Sequence, residues 1–119
     1  MSIMTGALLG ILEESATAIL TLAEGLGQEE FFATQLTRDE VLRQLLTLAD
    51  TAQALPQEVR DAMPEIDWNG WLVLGRELRG QRKADQGALW FGIRTLVPAT
   101  LLWLRVYRRN QPELFDFKP

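Results

Sequence analysis

The chain has 119 residues, enough for one domain with a single core and too few for two. With 47% apolar and 24% charged residues it has the balance of a globular domain, not of a disordered or fibrous chain. It contains neither cysteine nor histidine, which excludes disulfides, thiolate metal sites, imidazole ligation and any catalytic triad built on His.

The net charge of −4 conceals an asymmetry. Up to Asp67 there are twelve acids against three bases, and from Trp68 onward nine bases against four acids. A domain acidic overall is not a general nucleic-acid binder, but its second half can present a local basic face. The opening "MSIMTGALLGILEESATAIL" lacks a basic n-region and carries acids at Glu13 and Glu14, so it is not read as a signal peptide. Residues 88–107 form the one apolar stretch considered for a membrane span. Arg94, Pro98 and Arg105 within it favour a buried helix. A cytoplasmic protein without membrane association is expected.

No sustained alternation and no Asn-Gly or Asp-Gly turn marks a strand. Leu8, Leu12, Ile19, Leu22 and Leu26 recur at helical spacing, which predicts a helix over residues 5–26 that ends at Gly27. "GQEEFFATQ" follows as a helical turn with Phe31 and Phe32 tucked inward. Thr37 and Glu40 have the spacing of a capping box and predict the start of a second long helix. Its inner stripe is Val41, Leu45, Leu48, Ala52 and Leu55, widened by Leu42 and Ala49. Pro56 closes that helix and opens a single turn. Pro64 and an Asp67 cap introduce a third helix bearing Trp68, Trp71, Leu72, Leu74 and Leu78. "GQRKADQG" reads as a loop, with Asp85 as cap for a last helix that Pro98 should kink.

The expected architecture is all-α: an antiparallel four-helix bundle over residues 1–110, with a short extended tail over residues 111–119. The last helix is apolar on more than one face. Either it runs through the centre of the bundle or it pairs with a second copy, and a homodimer is expected with Leu101, Trp103, Leu104 and Tyr107 at the interface.

"EEFFATQLTRDEVLRQLLTLADTAQALPQEVRDAMPEIDW" resembles the middle of the HepT-like branch of the HEPN superfamily. The family pattern is matched by Val41–Leu42, Leu45, Asp50, Leu55–Pro56 and Pro64 with Trp68, then loosely by Leu89–Trp90 and Val97–Pro98. The order of these elements, more than any one of them, carries the resemblance over nearly the whole chain. It implies a HEPN-like helical homodimer, a ribonuclease toxin, and an MNT-type nucleotidyltransferase antitoxin as partner.

The family's signature is an Arg followed a helical turn or so later by a His at the end of the third helix. The Arg grips the scissile phosphate through paired donors, and the His moves protons during attack by the ribose hydroxyl. In one register Gly75 stands for the Arg and Gly80 for the His; in another Arg76 stands for the Arg and Gln81 for the His. Neither register supplies an imidazole, and losing general acid–base help costs roughly 10²–10⁴ in rate. The family's Tyr beside the His is also missing, because Tyr107 is the one tyrosine.

The basic stretch "GRELRGQRKADQ" therefore has two readings. Arg76, Arg79, Arg82 and Lys83 either solvate a helix end, where cations suit the dipole, or bind RNA or phosphate. Asp50 falls where the family has a Glu within an apolar helix, and it is expected as a buried, structural partner for an arginine of the third helix. The resulting expectation is a catalytically degenerate HepT-type homodimer that binds a protein or RNA in a toxin–antitoxin setting, with no cofactor and no metal. The alternative is an active, metal-independent endonuclease in which Arg76, Arg79 and Gln81 stabilise the transition state without a true base.

Overall fold

The computed structural model describes residues 3–80 and 86–115. All regular structure among them is helical. Helix α1 (Ile3–Ala23) buries Leu9, Leu12, Ala16 and Ile19 along one stripe. It stops short of the expected Gly27 because Gly25 takes a φ of 75°, a left-handed conformation that ends the helix. Helix α2 (Gln28–Ala33) starts at Gly27, whose N–H donates to the Glu30 carboxylate at 3.4 Å. Phe31 is fully buried and Phe32 half-buried, both tucked inward as expected.

Helix α3 (Gln35–Ala54) begins at a Thr34 cap residue, not at Thr37. Thr34 alone separates it from α2, so Thr37 already lies inside the first turns. Glu40 has no orphan N–H to reach back to, and its carboxylate instead accepts from Arg43 and Gln44. Val41, Leu45, Leu48 and Ala52 face the core along the expected stripe. Pro56 leads into α4 (Gln57–Asp61). The Trp68 indole N–H then donates to the Arg60 and Met63 carbonyls at 3.1 and 3.0 Å, which each also accept a backbone N–H.

Helix α5 (Trp68–Gly80) is capped as expected, with the Gly70 N–H donating to Asp67 Oδ1 at 2.8 Å. Trp71, Leu74, Gly75 and Leu78 form its buried edge. The last helical stretch comprises α6 (Gln86–Phe91), one π turn (Gly92–Leu96) and α7 (Val97–Asn110). Asp85, the expected cap, lies outside the described residues. The disruption expected at Pro98 takes the form of this π turn. Proline has no N–H to donate, and just before it the Val97 N–H reaches back to the Gly92 carbonyl.

Helix α1 packs between α3 and α7, and α3 also packs on α5. Helix α5 in turn touches α6 and the π turn, and the buried Trp71 indole N–H donates to the Thr100 hydroxyl of α7 at 2.9 Å. All four long segments thus contribute to one apolar core.

The tail departs from the expected extended form. Pro112–Phe115 folds into a 3-10 turn against α1 and α7, with Leu114 and Phe115 buried. Two apolar side chains give this segment enough to bury. Arg108 then bridges it to α1, lying 4.5 Å over the Phe115 ring while its Nε donates to Glu13 at 2.8 Å.

Among the described residues two helices are long and apolar enough to cross a membrane, Met4–Ala23 and Gln86–Asn110, the latter containing the stretch 88–107 expected to be a buried helix. Each contributes a buried edge to the core.

The Trp71–Thr100 pair makes a test of this packing. Thr100→Val keeps shape but leaves the buried indole N–H unpaired, so chemical denaturation should show about 1–3 kcal/mol lower stability. Adding Trp71→Phe removes the orphaned donor, and a double-mutant cycle should return a coupling between the two positions.

A candidate binding cleft between α3 and α5

The crossing of α3 and α5 is unusually close at one point. A Cβ added to Gly75 would lie 3.0 Å from the Ala49 Cβ, so any larger residue there would push the helices apart. Beside this contact the outward edges of the two helices diverge and leave a cleft of about 400 Å³. Its floor includes Trp71, Leu72, Ala49 and Gly75; its rim carries Asp50 and Gln53 from α3 and Arg76 and Arg79 from α5.

The charged rim is partly self-satisfied. Arg79 donates to the Asp50 carboxylate at 2.5 Å. The pairing expected for Asp50 is present, but its setting is open: the two side chains are 54% and 50% exposed. The hydrogen bond from Arg79 holds the Asp50 carboxyl below the usual aspartate range, against the opposing effect of partial desolvation. The same bond raises Arg79 above the usual arginine value.

Arg76 is exposed and makes no hydrogen bond or ion pair among the described residues. Gly80 also borders the cleft, and a Cβ there would meet nothing within 4 Å. The cleft thus offers one free guanidinium, one neutralised ion pair, an amide and an apolar floor. Among the described residues that line it, none has a side chain that ordinarily exchanges protons near neutrality.

The other expected site residues are spread more widely. Gln81, Arg82 and Lys83 lie outside the described residues. Leu101, Leu104 and Tyr107, expected at a dimer interface, are 3%, 0% and 8% exposed and belong to the chain's own core. Trp103 is half-buried and packs against Tyr107 with ring centres 6.2 Å apart. The helix turns Leu102 outward instead, at 59% exposure. Among the described residues no group of three acidic side chains is placed to hold a metal ion.

No family model matches the chain, and no curated protein or solved structure matches it significantly. The reading of the cleft rests on its own residues.

Gln53 is the rim residue that sequence reasoning missed. It stands one turn beyond Asp50 on α3, and that spacing alone places the two on one outward face.

Asp50 supplies a pH prediction. Its carboxyl is lowered in the folded state, so its contribution is present above the unfolded aspartate value of about 3.9 and is lost as pH falls through the lower folded value. Thermal melts at neutral pH should show Asp50→Asn less stable than wild type by no more than ~1 kcal/mol, the scale of an exposed pair. The two melting curves should converge in strong acid.

Proposed function

We propose that the chain is a catalytically degenerate HepT-type HEPN protein: a homodimer that binds a partner through the α3–α5 cleft and does not cleave RNA. The resemblance of its motifs to the HepT-like branch supports the family. The mutual packing of α1, α3, α5 and Gln86–Asn110 supports the antiparallel four-helix bundle which that family implies. A cytoplasmic toxin–antitoxin setting, with an MNT-type nucleotidyltransferase as partner, belongs to the same proposal.

The single observation that carries it is the cleft's chemistry. It lies where the family's arginine and histidine are expected, yet the chain has no histidine, and among the described residues Arg76 is the one rim guanidinium without a carboxylate. A Cβ at Gly75 would press on the Ala49 Cβ at 3.0 Å, so an arginine in its place would require a shift of the neighbouring helix. Arg76 is therefore the residue left for gripping. A planar guanidinium can hold a carboxylate or a phosphate in two parallel hydrogen bonds, which gives binding and orientation without proton transfer.

The neutralised Asp50–Arg79 pair, the neutral Gln53 and the apolar floor favour a protein surface with an acidic side chain over an RNA backbone. A strong RNA site would need several uncompensated cations or exposed aromatic platforms. The described cleft has one such cation, and its tryptophan is 1% exposed.

Native purification of the full chain with identification of what co-purifies tests the proposal. A protein partner should be retained by wild type and its retention should fall about tenfold or more in Arg76→Ala, on the scale of a lost charged hydrogen bond. Full retention by Arg76→Ala would place binding elsewhere and overturn the cleft's role. Recovery of RNA in place of protein would overturn the preference for a protein partner.

A further inference from the structure

Helix α5 turns two different sides outward. Arg76 and Arg79 border the cleft with α3, while Val73 and Glu77 lie on the side toward α6 and line a separate groove of about 490 Å³. Leu74 and Ala88 form its buried floor. Val73 stands on the α5 bank at 42% exposure and Phe91 on the α6 bank at 47%. Set together over an apolar floor, these side chains make a continuous patch and not scattered single residues.

The rim of the groove is acidic. Asp67 stands at the start of α5 and Glu77 near its end, which separates the two carboxylates by about 15 Å along the helix. One Asp67 oxygen caps the Gly70 N–H at 2.8 Å. The other lies over the bare Gly70 Cα, itself part of the groove wall. Glu77 is exposed and makes no hydrogen bond or ion pair among the described residues. None of the described residues lining the groove is basic.

These features select an occupant by its chemistry. The carboxylates repel phosphate, which counts against RNA and against an anionic membrane surface. Both banks are helical, so the groove offers no open strand edge to an extended peptide. A helix satisfies its own backbone and can lay an apolar stripe between two others. To match this rim it needs a cation at each end of that stripe, about three turns apart. The long stems of Lys or Arg would then cover the apolar banks while their heads reach the acids.

We propose that the α5–α6 groove binds an amphipathic helix of a partner protein. Its apolar stripe seats between Val73 and Phe91, and a Lys or Arg at either end reaches Asp67 or Glu77. The site is distinct from the α3–α5 cleft and does not depend on what that cleft binds.

The probe is a stapled helical peptide with a leucine stripe and a lysine at each end, titrated with the full chain by fluorescence anisotropy. Wild type should bind it saturably. Val73→Asp should weaken binding about tenfold or more with an unchanged helical circular-dichroism spectrum, and Glu77→Lys about tenfold. A counterpart peptide with glutamate replacing one lysine should prefer Glu77→Lys to wild type. In NMR spectra the peptide should shift the amides of Val73, Glu77 and Phe91 and spare those of Asp50 and Gln53. Absence of saturable binding, or binding that Val73→Asp and Glu77→Lys both leave intact, would overturn the site. Equal binding of lysine-ended and glutamate-ended peptides to wild type would overturn the charge selection. Shifts of the groove amides with the chain's own concentration, and none with peptide, would give the groove to a second copy and overturn the partner helix.

Discussion

The fold depends on the seating of α5 between two neighbours. On one side Gly75 lets it approach α3 until only the Ala49 methyl separates the backbones. On the other the buried Trp71 indole is tied to Thr100 of α7. A tryptophan is a large apolar side chain, and leaving its N–H unpaired in the core would cost more than the hydrogen bond contributes. The two contacts therefore fix both the distance and the rotation of α5. The rotation decides which residues are left outside, and Arg76 and Arg79 follow from it.

The cleft is a by-product of that seating. Where two helices cross at a glycine, their outward side chains diverge on either side of the contact and leave a hollow with an apolar floor. Asp50 and Arg79 close part of the rim on each other, which removes one arginine from ligand binding and leaves Arg76. Paired donors can orient an anion, and the one carboxylate among the described cleft residues, Asp50, is engaged by Arg79.

Much of the helical layout was legible in the sequence because burial imposes its spacing directly. The stripe from Val41 to Ala52, the Asp67 cap and the inward Phe31 each follow from local chemistry. The Thr37 start did not survive because nothing between Ala33 and Thr37 breaks a helix except the single bend at Thr34. Pro98 was expected to kink the last helix, and what precedes it is a π turn; how a helix answers a proline depends on its neighbours. In the tail, two prolines suggested an extended segment, while Leu114 and Phe115 had an apolar seat between α1 and α7 that only the assembled fold reveals. The same limit applied to the last helix. It is apolar on more than one face, so composition could not say that Leu101 and Leu104 face inward and Leu102 outward. For the cleft, the Asp50–Arg79 pair was anticipated from motif order, whereas its exposure and the role of Gly75 needed the helices' separation.

Incubating purified wild-type chain and Arg76→Ala with labelled RNA under single-turnover conditions bears most directly on binding without catalysis. Both proteins should leave the RNA intact to the level of a no-protein control. Cleavage by wild type that is lost in Arg76→Ala would contradict that conclusion and establish the cleft as an active site.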